Sequence, residues 1–551
     1  MNKRVLSISI LASMLASFSA TSATYQVTEI QPLEEYRQHF AMDISDSGQI
    51  VGVARDSFNF PYYLESYLPL LTLGTGQSCD VSEEEFTTGV FDSYSSSCLK
   101  VGLSGNSSRA TYQKVGDNKS FITNNNEAEL IHILDVVDPE LGAYTSSNVE
   151  QLRAINDIGI AVGEASAPYL PIEFTQTGEN AVSADPFTMW QREFSQRAVV
   201  YVDGVVKTLD PIYSEFGGET SATDISNTGY ISGQSSTLMS DAMIALIEKD
   251  CTGELEPVEI CVWSKRNSGR IYESRPVVWQ VDGAGNVLST QVHDLAFEPT
   301  EEQTGNYFAL AMAVNDSGKS AGFGNIPRTD GFITVQPLIF SEDGTETFID
   351  VDEYYDGFST DINNSNVVVG TVRNILDGAY HGKFFVYDET TNTFETPTTF
   401  YETAKSNANS INDAGLVVGE AEYEITTDTV RRKHGFIYNS VTKEFFDIND
   451  LVECDSPYEL VELKSINNSN QIAATALKYV DRRDSLGEIV KDDDGVVQQQ
   501  QVALAVLLEP ITGEIEDCGA IDNPPYERQG LSLPLSVIFI LLGLVGIRRK
   551  K

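Results

Sequence analysis

Basic residues are scarce in this sequence. Its 551 residues include 36 Lys and Arg against 81 Asp and Glu, a formal charge of −45 at pH 7. Six of the basic residues lie at the extreme ends, which carry no acids, so the body between them holds 30 against 81, or −51. Such a body repels nucleic acid and anionic lipid headgroups and argues against both as partners. A solubilising surface accounts for the excess, and calcium or a cationic ligand is the sharper alternative.

Recognisable chemistry is equally scarce. There is no Gly-x-Ser-x-Gly elbow, no His-Glu-x-x-His pair and no phosphate-binding Gly-rich loop with Lys. The five histidines, His39, His132, His293, His381 and His434, lack close metal-ligand spacing. His381 and His434 fall at equivalent places before a strand, which points to structure. The Ser97–Lys100 stretch has Ser-x-x-Lys spacing without the companion motifs of a nucleophilic site. The densest acidic runs, Asp350–Gly357 and Asp492–Gly495, miss the calcium-loop register. No catalytic, cofactor-binding or metal-ligating residue is therefore assigned. A site assembled from separate parts of a repeat ring needs no local motif.

Long apolar runs are confined to the ends. Lys3 and Arg4 precede Val5–Phe18, and small residues lead to Ala23, the pattern of a secretory signal peptide over 1–23 cut after Ala23. Residues 521–530 read as a linker. Residues 531–551 form an apolar segment ending in Arg548, Arg549, Lys550 and Lys551, just long enough to span a bilayer with its basic end in the cytoplasm. The layout resembles bacterial Gly-Gly-type sorting tails, with a single Gly530 where the pair is expected. Anchor and removable tail both stand as readings, so the protein is expected at the cell envelope, membrane-held or released.

Cysteine is present in an even count, Cys79, Cys98, Cys251, Cys261, Cys454 and Cys518, with no Cys-x-x-Cys. In an exported chain this favours disulfides, and nearest-neighbour pairing gives 79–98, 251–261 and 454–518.

What the sequence does have is a repeated phrase. "DISDSGQIVG" from Asp43 recurs from Ala154, Asp224, Ala313, Asp361, Ser410 and Ser465, seven copies without internal gaps. Each reads as a strand end, a three-residue turn and a new strand. The left-handed turn position is Gly48, Gly159, Gly229, Gly318, Asn366, Gly415 or Asn470, the residue types that tolerate positive φ best. A second small residue, such as Gly419 (Ala474 in the last copy), suggests close backbone approach or a bulge. Two further strand-like segments follow each copy, as in Gly435–Asn439 and Glu444–Ile448. In copy seven both are read from Val502–Cys518. Four short strands per unit make an all-β fold, a β-propeller of seven four-stranded blades over residues 24–520. Thr24–Ile30 looks like a spare outer strand able to pair with the last unit. An open β-solenoid or two smaller β-domains is the competing architecture, and the long gap after copy one has room for a degenerate eighth blade.

The phrase "INDAGLVVGEA" followed by His434-Gly435-Phe436 resembles the bacterial extracellular HAF repeat, and the whole layout is similar to the secreted family called domain of unknown function 3466. The resemblance implies a secreted repeat protein and supplies no catalytic residues.

Insertions fall between second and third strands, near 53–118, 164–196, 234–274 and 475–500, while the turn of the phrase never changes length. One face of the ring is thus all tight turns and the other carries the long loops. Disulfides and the aromatic stretches from Phe58 and Tyr169 fit rigid loops; the aromatics either face a ligand or pack the loops onto the ring. The expected function is non-enzymatic binding of a glycan or envelope protein through the insertion face. A hydrolase or lyase using carboxylates there is the alternative.

Overall fold

In the sixth copy of the repeat, Ser406–Ile411 and Leu416–Glu422 pair antiparallel around Asp413-Ala414-Gly415. The Asn412 N–H donates to the Leu416 carbonyl at 3.1 Å and the Gly415 N–H to the Asn412 carbonyl at 3.0 Å. Gly415 sits at φ 80°; Gly48, Gly159 and Gly318 are at 81°, Gly229 at 82°, Asn366 and Asn470 at 60°. Every inner strand carries a β-bulge, between Ala408 and Ser410 in this copy. The small residue stands opposite it: a Cβ on Gly419 would lie 2.0 Å from the Asn407 carbonyl oxygen. The bulge and the bare backbone facing it are therefore one device.

The computed structural model describes residues 24–64, 79, 81–300, 307–376, 379–426 and 431–513. They form seven four-stranded antiparallel sheets, accompanied by four short helices and two small hairpins. The innermost strands are Tyr36–Ile44, Glu150–Ile155, Thr220–Ile225, Ala309–Val314, Asp356–Ile362, Ser406–Ile411 and Glu459–Ile466. Each touches the next, and the seventh returns to the first. The architecture is a seven-bladed β-propeller. Apolar residues of successive sheets pack face to face, as where Val418 and Ile437 of blade six meet Leu460, Leu463 and Ile472 of blade seven.

The N-terminal strand Thr24–Glu29 pairs antiparallel with Gln499–Ile511, Val27 opposite Leu508. Blade seven is thus built from both ends of the chain, which leaves the ring no free junction. This corrects the reading of Val502–Cys518 as both outer strands of copy seven, because the N-terminal strand takes the outermost place. Residues 58–149 hold no eighth blade among the described residues; they supply two helices, blade-one strands and a two-residue hairpin.

The insertions are structured. The first carries α1 (Glu83–Thr88) and α2 (Ser93–Gly105), and a disulfide joins Cys79, ahead of α1, to Cys98 in α2. The second is the hairpin Leu170–Phe174 with Phe187–Gln191. The third carries α3 (Asp241–Asp250) and α4 (Val258–Ser268), linked by Cys251–Cys261. The fourth prolongs the pairing of Ile472–Asp481 with Gln499–Ile511. Two disulfides fit an oxidising, extracellular setting. Cys454 is also disulfide-bonded, whereas Cys518, with residues 1–23 including Ala23 and residues 514–551 including Gly530, lies outside the described residues. Among the described residues no helix is long and apolar enough to cross a membrane.

Candidate functional site

The turn face comes first, because the repeat places most of its polar residues there. Asn156, Asn315, Asn363, Asn412 and Asn467 each accept local backbone N–H groups on Oδ1, closing their own turn. Each then donates from Nδ2 to a backbone carbonyl of the following blade, at 2.9–3.3 Å. The remaining two junctions begin with Ser45 and Ser226, too short to reach across. At those junctions Asp43 accepts from the Ile155 N–H and Asp224 from the Val314 N–H, both at 2.8 Å.

A second ring lies outside the first. The Asp46 N–H donates to Asp157, the Asp157 N–H to Asn227, the Thr228 N–H to Asp316, and the Asp316 N–H to Asn364. The Asn364 N–H then donates to Asp413, the Asp413 N–H to Asn468, and the Asn468 N–H back to Asp46. Seven steps, all in one direction, close the circle. The acids of the phrase are blade-to-blade ties.

These ties crowd negative charge around the channel mouth. Burial pushes the Asp43 carboxyl up to about 6, against bonds from Ser465 and the backbone that pull it down. Asp224 is raised by burial and then by the charges of Asp361 and Asp43, and Asp361 is raised by burial. Among the described residues no three His, Cys, Asp or Glu side chains converge to hold a metal. Of the two acidic runs, Asp352 is taken by the Thr329 N–H and hydroxyl, and Asp492 caps its own turn.

The insertion face is different. Its four insertions belong to blades seven, one, two and three, neighbours in the ring, and they pack into one layer. Ser485 of the seventh-blade extension donates to the Ser93 carbonyl in the first insertion. Tyr63 of the first meets Trp190 of the second edge-on at 4.7 Å. The second and third join where the Thr177 N–H donates to the Glu254 carbonyl at 2.7 Å. The aromatics predicted here serve as packing: Phe58, Phe60, Tyr63 and Tyr169 are all buried. Of the two readings of these rings, ligand-facing is overturned for these four.

Between the second and third insertions a cleft of about 710 Å³ opens. One wall is apolar, with Leu170 and Ile172 from the hairpin and Val262 and Trp263 from α4. Arg192, Arg197 and Arg266 also line the cleft, with Glu193, Glu219 and Glu259. The loop Glu215–Gly218 completes it, and there Phe216 holds φ 56°, ψ 31°, a left-handed conformation costly for a bulky side chain. Buried Tyr272 fixes that loop: its hydroxyl donates to the Phe216 carbonyl at 2.5 Å and accepts from the Gly218 N–H at 3.1 Å.

The arginines are held unequally. Arg266 is ion-paired with Glu219. Arg197 gives Nη2 to the Gly217 carbonyl at 3.0 Å and lies over Phe194 at 4.3 Å. Arg192 reaches Ser195 Oγ at 3.1 Å and lies over Tyr169 at 4.7 Å. Neither Arg192 nor Arg197 has a carboxylate at ion-pair distance among the described residues. Burial lowers both guanidinium pKa values, and it pushes Lys114, beneath the cleft, down to about 8, with the charge of Arg192 adding to the effect.

The structure does not gather the histidines. His434 bonds Asp447 at 2.7 Å and stacks on Tyr423, and His39 accepts the Leu33 N–H at 3.0 Å. His434 lies opposite Ala421 and His381 opposite Asn374. Gly419 and Gly370 are equivalent, so the two histidines are two residues out of register, which corrects their assigned equivalence. Sequence reasoning missed Arg192, Arg197, Phe216 and Trp263. The available signal was a local run of arginines in a chain otherwise short of them.

Comparison with solved structures returns matches at low similarity. A TolB from Agrobacterium tumefaciens described as putative shares 9% identity, covering 43% of this chain and 86% of its own, at TM-score 0.24. Pyrococcus horikoshii acylaminoacyl peptidase shares 8%, covering 86% of this chain and 53% of its own, at TM-score 0.36; the chain spans about half of that peptidase. The β-propeller domain of the Trilobed protease from Pyrococcus furiosus shares 10%, covering 64% and 80%, at TM-score 0.27. No curated protein matches. A family model matches residues 2–550, nearly the whole chain, and the protein belongs to that family, described as protein of unknown function (DUF3466).

Proposed function

We propose that this protein is a non-enzymatic binding protein of the cell envelope or its surroundings, taking a glycan or protein partner in the cleft between its second and third insertions. The observation that carries the reading is the cleft's construction. A backbone-strained Phe216, locked by Tyr272, forms part of a cleft assembled from four separate segments. Strain of this kind costs on the order of 1–3 kcal/mol and persists where surrounding structure enforces it, often at ligand sites. The HAF-type repeat would supply the rigid ring, and the tail 531–551 would hold the protein at the membrane or mark it for release.

The competing hydrolase or lyase reading needs cleft carboxylates free to move protons. Glu219 is engaged by Arg266, so that reading would have to use Glu193 or Glu259, which also line the cleft. The test is a screen of the full chain, in mild detergent, against immobilised glycans and envelope proteins, repeated with Leu170→Trp. Leu170 is 39% exposed, so the larger ring fills the cleft without entering the core. Hits should be lost in the variant while its melting temperature stays. Hits that survive Leu170→Trp overturn the cleft as the binding site.

A further inference from the structure

Resting on that reading of the cleft, we propose that its ligand is an acidic saccharide, a short chain of sugar rings bearing carboxylate or sulfate groups. The first ground is electrostatic. The chain has 81 acids for 36 basic residues, so carboxylates are in surplus. Arg153, Arg266, Arg373 and Arg431 all pair with one. Arg192 and Arg197 face the cleft with none at ion-pair distance among the described residues, although Glu193, Glu219 and Glu259 also line it. Arg197 is 8% exposed, and its Nη1 is buried with no partner, as is Arg192 Nε. Burying an uncompensated guanidinium is costly. An anion entering the cleft supplies the missing charge.

Lys114 sharpens the point. Its ammonium lies 5.7 Å from the Tyr169 ring, and the Arg192 guanidinium lies 4.7 Å from the same ring. Lys114 is 4% exposed; its ammonium donates to the carbonyls of Ser107 and Arg109 and lies 5.5 Å from the Trp263 ring, with no carboxylate at ion-pair distance among the described residues. Two buried cations thus share one aromatic ring, and the charge of Arg192 disfavours a second on Lys114.

The second ground is shape. Leu170, Ile172, Phe216 and Trp263 give the cleft an apolar side on which the C–H face of a sugar ring stacks. About 710 Å³ suits a small ligand and not a folded protein surface. An acidic peptide would use the cations and leave the apolar wall idle. The guanidiniums are also fixed in advance, Arg197 by Gly217 and Phe194 and Arg192 by Ser195 and Tyr169, which lowers the ordering cost of binding.

The test is calorimetric titration of the full chain with tetragalacturonate, a heparin tetrasaccharide, neutral cellotetraose and a short polyglutamate. Binding of either acidic saccharide, with cellotetraose at least about tenfold weaker, is expected; the two acidic arms separate carboxylate from sulfate. Arg192→Gln should cost at least about tenfold, the worth of one charge-assisted contact, with partial rescue by Arg192→Lys and no change in melting temperature. The inference is overturned if cellotetraose binds as well, if polyglutamate alone binds, if Arg192→Gln has no effect, or if neither acidic saccharide binds. Leu170→Trp separates the two failures. Binding lost in Leu170→Trp but kept in Arg192→Gln refutes the ligand class alone, and binding kept in both refutes the cleft.

Discussion

Replacing Lys119 by Met should destabilise the propeller more than any single surface change. Lys119 is 1% exposed, and its ammonium donates to Asp135 at 2.7 Å, Asn148 at 2.9 Å and Glu150 at 3.1 Å. Both carboxylates are fully buried at their side chains. Glu150 also accepts the backbone N–H groups of Leu134 and Asp135, and Asp135 accepts those of Val136 and Ser146. The cluster ties the third strand of blade one to the first strand of blade two and to the connection between them. Met keeps the stem's volume and removes the charge, leaving two buried carboxylates without their cation. Breaking such a group costs about 3–5 kcal/mol. At ~2.1 cal/mol/K per residue the unfolding entropy of a ring this long is on the order of 1 kcal/mol/K, so the melting temperature should fall by about 3–5 °C. Calorimetry of Lys119→Met, Glu150→Gln and the double variant forms a cycle. The double variant should lose about 1–3 kcal/mol less than the sum of the singles, because Glu150→Gln removes a charge the first change stranded. Strict additivity, or a silent Lys119→Met, would refute the reasoning.

Two further outcomes concern the turn face. Asn412→Ala removes bonds to the Leu416 N–H, the Asn467 carbonyl and Asn470 Oδ1 and should cost about 1–3 kcal/mol in thermal unfolding. Asn412→Ser should fall between, since Ser45 and Ser226 cap their own turns without reaching the next blade; a Ser variant equal to wild type would show the inter-blade bond contributes nothing. The channel aspartates set a pH dependence. Their raised affinities mean the folded ring binds protons that the unfolded chain releases, so their contribution is full below about pH 4 and is lost as pH rises through about 6 for Asp43. Melting temperature should climb between pH 7.5 and 5.5, and Asp43→Asn with Asp361→Asn should flatten the climb. An unchanged slope would assign it to the general surface charge instead.

The propeller was legible because its information is local. Six of the seven blades are four strands in chain order, and the turn "NDAG" states its own geometry through Gly415 and the Asn412 cap. Even the closure by Thr24–Glu29 showed, as a strand with no turn of its own. The insertions were less legible for the opposite reason. Whether Phe58 faces solvent depends on Gly487, which would meet it from the far end of the chain. Whether Tyr63 does depends on Trp190. The cleft draws on segments near 170, 192, 216 and 263, and no spacing rule joins them.

The repeated phrase also bears on where function can reside. Its amides are consumed in pairs, each capping Asn spending Oδ1 on its own turn and Nδ2 on the next blade, while the carboxylates of Asp46, Asp157 and Asp413 accept from the preceding blade. A ligand competing for Asp46 or Asp413 would have to break a circle of seven bonds, each worth about 0.5–1.5 kcal/mol net. Selection for a closed ring thus removes the turn face's polar groups from the surface available for recognition. The insertions are under no such constraint, since they join blades that already hold each other from the opposite side. There Arg192 and Lys114 share the Tyr169 ring and Arg197 lies over Phe194, none of them with a carboxylate at ion-pair distance among the described residues. Arg192 and Arg197 each keep a buried guanidinium nitrogen with no partner beside the cleft, which is what a site for an external anion requires.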